Sequence, residues 1–194
     1  MLTPQSVTLF FAYLTIIDLL LSAAGAIVLA SKKSEDLRTF IKLDNDNFFT
    51  IGAYIVTFLA TAGSLYYSDV AGYTPCKFCW YQRIVMYPQT LMYMIALAIG
   101  DTKKIPFYGL GLSLVGALMA FYHYLLQFGI VETSSCSTVG FSISCSERFV
   151  ATFGFVTIPL MAFTAFLLTN IIWLIYLQSS QKSKFFDLKK LLNK

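Results

Sequence analysis

Apolar residues fall in long blocks along this chain, separated by short polar stretches. A helix that crosses a bilayer needs about 20 mostly apolar residues. Five blocks reach that length: residues 7–30, 49–67, 80–99, 105–127 and 151–177. The second and fifth carry no charge, while the others hold Asp18, Arg83 and the lone His123. Block 7–30 lacks a basic leader and exceeds the 7–15 apolar residues of a signal peptide, so it is read as a span. Pro88 and Pro159 fall inside blocks and predict kinks. The pattern predicts an all-α polytopic membrane protein with five spans, without internal repeats or low-complexity segments.

Composition agrees. The chain of 194 residues is 57% hydrophobic and 12% charged, against about 25% charged in soluble domains. That excludes a cytosolic globular enzyme, a nucleic-acid binder and a disordered regulator. Charge placement adds orientation. Eleven of the fourteen Lys and Arg residues lie in 31–48, 100–104 and 178–194, and the alternate side holds only Lys77, Arg83 and Arg148. Basic loops stay cytoplasmic, so the N-terminus is expected outside and the C-terminus inside. Residues 183–194 suit an amphipathic helix on an anionic leaflet, and 31–48 a polar connector. Asp18, with no partner visible in the sequence, is either functional or merely facing a neighbouring helix, and the second reading is favoured.

All four cysteines fall in the two outward loops, residues 68–79 and 128–150. Disulfides persist in oxidising, extracytoplasmic compartments, which predicts two pairs. Cys76 and Cys79 form a C-x-x-C; closing four residues stabilises by only about 2 kcal/mol before strain. Strained, exposed disulfides are the reactive ones. Cys79 opens the third span, where the helix dipole and Arg83 one turn later favour its thiolate. Arg83, costly inside the membrane boundary, needs an anion or polar acceptor, or else snorkels to headgroups. The second pair, Cys136 and Cys145, closes ten residues for about 3 kcal/mol; a mobile, exposed disulfide there would be open to a partner's thiolate. A zinc site of all four cysteines is the competing account. It lacks the usual second C-x-x-C knuckle, and no metal is assigned.

The run Cys76-Lys77-Phe78-Cys79-Trp80-Tyr81-Gln82-Arg83 resembles the DsbB family of membrane thiol oxidases, especially its short-loop, BdbC-like branch. The segments 121–127, 145–148 and 153–159 are similar to the family's third-helix end and fourth-helix start. The resemblance covers roughly residues 50–175. It implies a four-helix bundle over 49–177, preceded by an added helix and connector (1–48) and followed by the basic tail (178–194). It further implies oxidation of a thioredoxin-fold dithiol partner, DsbA- or BdbD-like, outside the cytoplasm, with electrons passed to ubiquinone or menaquinone in the plasma membrane. On this chain Cys76 and Cys79 would be the quinone-proximal pair and Cys79 would contact the ring. Arg83 and His123 would bind the quinone, Cys136 would be attacked by the partner, and Cys145 would be its mate. Trp80, Tyr81 and Tyr87 are read as belt or packing aromatics. A quinone reductase like vitamin K epoxide reductase, or a scaffold with two structural disulfides, are the alternatives.

Overall fold

The computed structural model describes residues 4–30, 46–131 and 144–192, and side chains for all of these save 46 and 179–192. Five long helices make up the fold among the described residues: α1 (Pro4–Ala30), α2 (Asp46–Leu65), α3 (Lys77–Ile99), α4 (Ile105–Gln127) and α5 (Ile158–Leu192). A π-helical turn, Tyr66–Val70, continues α2 toward the C-x-x-C. Four helical stretches are long and apolar enough to cross a membrane: Pro4–Ala30, Asn47–Val70, Ile105–Gln127 and Ile158–Gln178. Helix α3 has the same 23-residue length as α4, but Gln82, Arg83 and Gln89 dilute its apolar character. The chain is a multi-pass membrane protein.

Local chemistry sets most helix ends. Cys76 caps α3, its sulfur accepting the Cys79 N–H, and Gly100 ends that helix in the left-handed region at φ 73°, where a Cβ would be strained. Pro106 sits in the first turn of α4, where its missing N–H costs nothing. The fifth predicted span begins seven residues late. Residues 151–157 are not helical but form a tight turn, closed by paired backbone bonds between Thr152 and Val156. Phe153 and Gly154 both adopt positive φ there (56° and 80°). Pro159 therefore starts α5 rather than kinking it, whereas Pro88 does lie inside α3. Helix α5 runs on to Leu192, but the side chains of the predicted amphipathic tail, the connector 31–45 and Cys136 lie outside the described residues.

Helix α5 is central, packing against α1, α2 and α4, while α3 packs against α2 and α4. Small residues let the helices approach, as membrane bundles require. A Cβ at Gly116 would lie 2.3 Å from the buried Phe166 ring, and one at Gly109 would lie 2.5 Å from Trp173 and Tyr93. Buried polar side chains link the helices. Trp173 Nε1 donates to the Tyr93 hydroxyl (3.1 Å), which donates to Gln89 Oε1 (2.9 Å). Ser113 donates to Asn170 Oδ1 (3.1 Å). With no water at that depth, such groups need protein partners. Large apolar side chains such as Leu20, Ile84, Leu91 and Leu118 point outward, as lipid contact demands.

The N-terminal half of α1 lies at the cysteine end of the bundle. Phe11 packs on Tyr67 and Tyr13 on Phe153, and Ala12 joins Val156 and Leu160 in one buried cluster.

Candidate functional site

The site is built where the start of α3 meets the end of α4. As cap of α3, Cys76 presents its sulfur to the first turn, 3.3 Å from the Cys79 N–H and 2.8 Å from the Cys79 sulfur. Both are free thiols in this structure. Cys145 is disulfide-bonded, its expected mate Cys136 lying outside the described residues. Cys145 packs with Cys76 in one cluster with Phe78 and Cys79. It is only 1% exposed, so this half of the second pair is shielded rather than open as the sequence suggests.

His123 sits between the two cysteine segments and is itself 1% exposed. Its Nδ1 lies 3.0 Å from the Gln82 side-chain nitrogen. An amide NH₂ only donates, so Nδ1 accepts and the ring proton rests on Nε2. That N–H faces the Cys145 carbonyl oxygen (3.1 Å) and the Cys76 sulfur (3.5 Å). Phe78 stacks on the ring at 5.7 Å.

Cys79 donates its S–H to the Cys76 sulfur, and this chiefly holds the Cys76 thiol well below its ordinary value; burial opposes the shift and His123 reinforces it. The same hydrogen bond and burial push Cys79, one residue ahead of the apolar block, upward against the pull of Arg83. The helix-dipole argument from sequence favours Cys79 as the thiolate. The geometry favours Cys76 instead, because the Cys79 backbone N–H and the His123 Nε2–H are both aimed at that sulfur.

Arg83 is half-buried and turned onto helix α2. Its Nη2 donates to the Ser64 carbonyl (3.0 Å), and its guanidinium lies over Trp80 and Tyr87 (5.3 and 6.0 Å). Tyr87 in turn donates to Ser64 Oγ (3.0 Å). Beside it lies an apolar cavity of about 150 Å³ lined by Cys79, Arg83, Tyr87, Met86, Tyr67, Phe166 and others. Cys76 and His123 do not line it. They face a smaller one of about 20 Å³, shared with Cys79, Gln127 and Glu147. Arg83 and His123, paired from sequence as one binding set, therefore serve different spaces, and Cys79 borders both.

Residues not singled out by sequence hold the second cysteine segment. Gln127 Nε2 donates to the Glu147 carbonyl (2.8 Å). Arg148 Nε donates to the Gln127 carbonyl (2.8 Å), its Nη2 also contacts that oxygen, and its guanidinium covers the Phe128 ring at 4.3 Å. Tyr73 stacks on Phe149 at 4.9 Å, tying the two cysteine loops together. As for metals, Cys76, Cys79 and His123 bring their ligand atoms within 4.8 Å of one another. Two sulfurs on one tetrahedral zinc stand roughly 3.8 Å apart for 2.3 Å bonds. The observed 2.8 Å is shorter than that spacing.

A multi-pass helical bundle with a C-x-x-C capping one helix, a buried histidine against it and a second cysteine segment alongside defines a membrane thiol–disulfide protein. Comparison with known proteins makes this specific. Residues 46–176 match the family described as disulfide bond formation protein DsbB, and the chain belongs to that family. It is 42% identical over 125 residues to a probable disulfide formation protein of Oceanobacillus iheyensis, covering 64% of this chain and 86% of the relative. It is 38% identical over 122 residues to disulfide bond formation protein C of Bacillus subtilis (62% and 86%). It is also 37% identical over 136 residues to the SPbeta prophage-derived disulfide bond formation protein B of that organism (70% and 90%). No solved structure matches the chain. Family membership makes this a disulfide oxidoreductase with a role in disulfide bond formation.

Proposed function

We propose that the chain oxidises an extracytoplasmic thioredoxin-fold dithiol protein and passes the electrons to a membrane quinone. The observation that carries this reading is the position of Cys79. It touches the Cys76 sulfur on one side, where Cys145 is packed, and borders the apolar cavity with Arg83 on the other. The residues fit a quinone headgroup. An apolar cavity of about 150 Å³ is large enough to hold a six-membered ring, and ligand sites of this kind are apolar with a few polar groups that fix orientation. Cys79, Arg83 and Tyr87 would be those groups. When bound, the quinone would accept the two electrons and two protons released as the Cys76/Cys79 dithiol closes to a disulfide.

The protein's own steps are exchanges of sulfur partners. A partner thiolate attacks Cys136 and displaces Cys145, forming a mixed disulfide. The partner's second thiol displaces Cys136, leaving the partner oxidised and Cys136/Cys145 reduced. That dithiol then attacks the Cys76–Cys79 disulfide at Cys76, the sulfur beside Cys145, and Cys79 leaves toward the cavity. Resolution restores Cys136–Cys145 and leaves Cys76/Cys79 reduced. His123 Nε2–H steadies negative charge on Cys76, and Arg83 supplies positive charge where Cys79 meets the cavity. The basic-residue count supports placing the cysteine loops on the extracytoplasmic face.

The test is anaerobic. Purified protein, with and without quinone, is mixed with a reduced thioredoxin-fold dithiol protein, and partner oxidation is followed for wild type and Cys79→Ser. Quinone-dependent oxidation that disappears in the variant is expected. Oxidation that ignores either the quinone or the substitution would overturn the reading.

A further inference from the structure

Helix α1 lies wholly outside the residues that match the family, 46–176, so no inherited role covers it. Yet it is fitted closely to the bundle. A Cβ at Gly63 would lie 2.8 Å from the Phe11 ring, and one at Gly25 would lie 2.3 Å from Ile171. Thr8 hydrogen-bonds Tyr67. Between these contacts, Phe11, Leu14, Thr15 and Asp18 line the same cavity as Cys79 and Arg83. Their spacing of three, one and three residues puts all four on one helical face.

Of the two polar side chains on that face, Thr15 is already committed, its hydroxyl donating to the Phe11 carbonyl at 2.8 Å. Asp18 has no hydrogen bond or ion pair among the described residues. It lies fourteen residues into a 27-residue helix, some 21 Å along the axis at 1.5 Å per residue, well within hydrocarbon depth. A carboxyl there is costly and persists where it serves a ligand or a pathway. Arg83, committed to Ser64 and two rings, makes no ion pair with it among the described residues. The cavity thus carries sulfur and guanidinium on its α3 wall and an unspent carboxyl on its α1 wall.

We propose that α1 is a wall of the quinone site and that the Asp18 carboxyl is its polar contact to the oxygen substituents of the ring. This rests on the quinone reading above but adds a helix and a residue to it. The test is binding, independent of turnover. Quinone-stripped protein in nanodiscs is titrated by equilibrium dialysis with short-chain ubiquinone and menaquinone analogues, using wild type, Asp18→Leu, Asp18→Asn, Leu14→Trp and Arg83→Gln. Asp18→Leu should weaken binding about tenfold, the scale of one lost hydrogen bond. Asp18→Asn, which keeps a hydrogen-bonding group, should stay within about threefold. Leu14→Trp, which fills the cavity from the α1 side, should abolish binding, and it decides the matter if Asp18→Leu fails to fold. Wild-type affinity in Asp18→Leu overturns the Asp18 contact and wild-type affinity in Leu14→Trp overturns the α1 wall, each alone if Arg83→Gln weakens binding and together with the quinone reading if it does not. Absence of binding by the wild type overturns the quinone reading, and this proposal with it.

Discussion

Replacing Gln82 with Leu should raise the Cys76 thiol by about one pH unit without touching either cysteine. Gln82 Nε2 donates to His123 Nδ1 at 3.0 Å, which keeps the ring proton on Nε2, aimed at the Cys76 sulfur and the Cys145 carbonyl. A hydrogen bond to a charged acceptor is worth about 1.5–3 kcal/mol. At 3.5 Å and shared with a carbonyl, it contributes on the order of half that, and 1.36 kcal/mol corresponds to one unit. The assay is thiolate ultraviolet absorbance against pH, on reduced protein with Cys136 and Cys145 replaced by Ser. Wild type should titrate well below the ordinary thiol value of 9.0. Gln82→Leu and His123→Phe should both shift upward, by similar amounts. The sign for stability follows. Cys76 titrates lower folded than unfolded, so its contribution to the reduced protein is fully present above the unfolded value and is lost as pH falls through the folded one. Gln82→Leu should narrow that window from its acid side. Superimposable titrations for wild type, Gln82→Leu and His123→Phe would refute a role for His123 at this sulfur.

Other expectations concern packing and access. Gly116→Ala forces a methyl into the buried Phe166 ring and should cost about 1–3 kcal/mol, seen as a lower unfolding temperature in detergent; an unchanged temperature would refute the tight fit of α4 against that ring. Arg148→Ala removes the clamp on the Gln127 carbonyl and the cover of Phe128. It should loosen the segment after Cys145 and speed reduction of its disulfide by an external thiol; an unchanged reduction rate would show that the clamp does not govern access. Trp173→Phe leaves the Tyr93 hydroxyl without its donor and should lower stability by about 1 kcal/mol, measured by thermal unfolding, while thiol exchange at the far end continues.

Much of this architecture is legible in sequence because the bilayer imposes length and apolarity directly. The block at 105–127 coincides with α4 at both ends, and Cys76 to Arg83 reads correctly as the entry to a helix. The start of α5 is not legible by hydropathy, since residues 151–157 carry no charge and run without a break into the apolar helix that follows. The turn depends on a backbone bridge and on two left-handed residues. Gly154 and Pro159, read together as turn residue and helix starter, were the available signal. Gln82 passes unnoticed because a glutamine between Cys79 and Arg83 looks like helix surface until His123, forty-one residues away, is brought against it. The division of Arg83 and His123 between two cavities is set by packing of α3 on α2 and α4, which no local pattern encodes. Asp18 meets the cavity rather than a neighbour's side chain for the same reason.

The entry of α1 at the cysteine end has a practical side. A protein fused ahead of Pro4 through a short flexible linker would be held beside the second cysteine segment at millimolar effective concentration. A weak, transient electron donor joined there would become an intramolecular one, its oxidation rate independent of dilution, whereas the same donor on the far end of the bundle would have to find the sulfurs by diffusion.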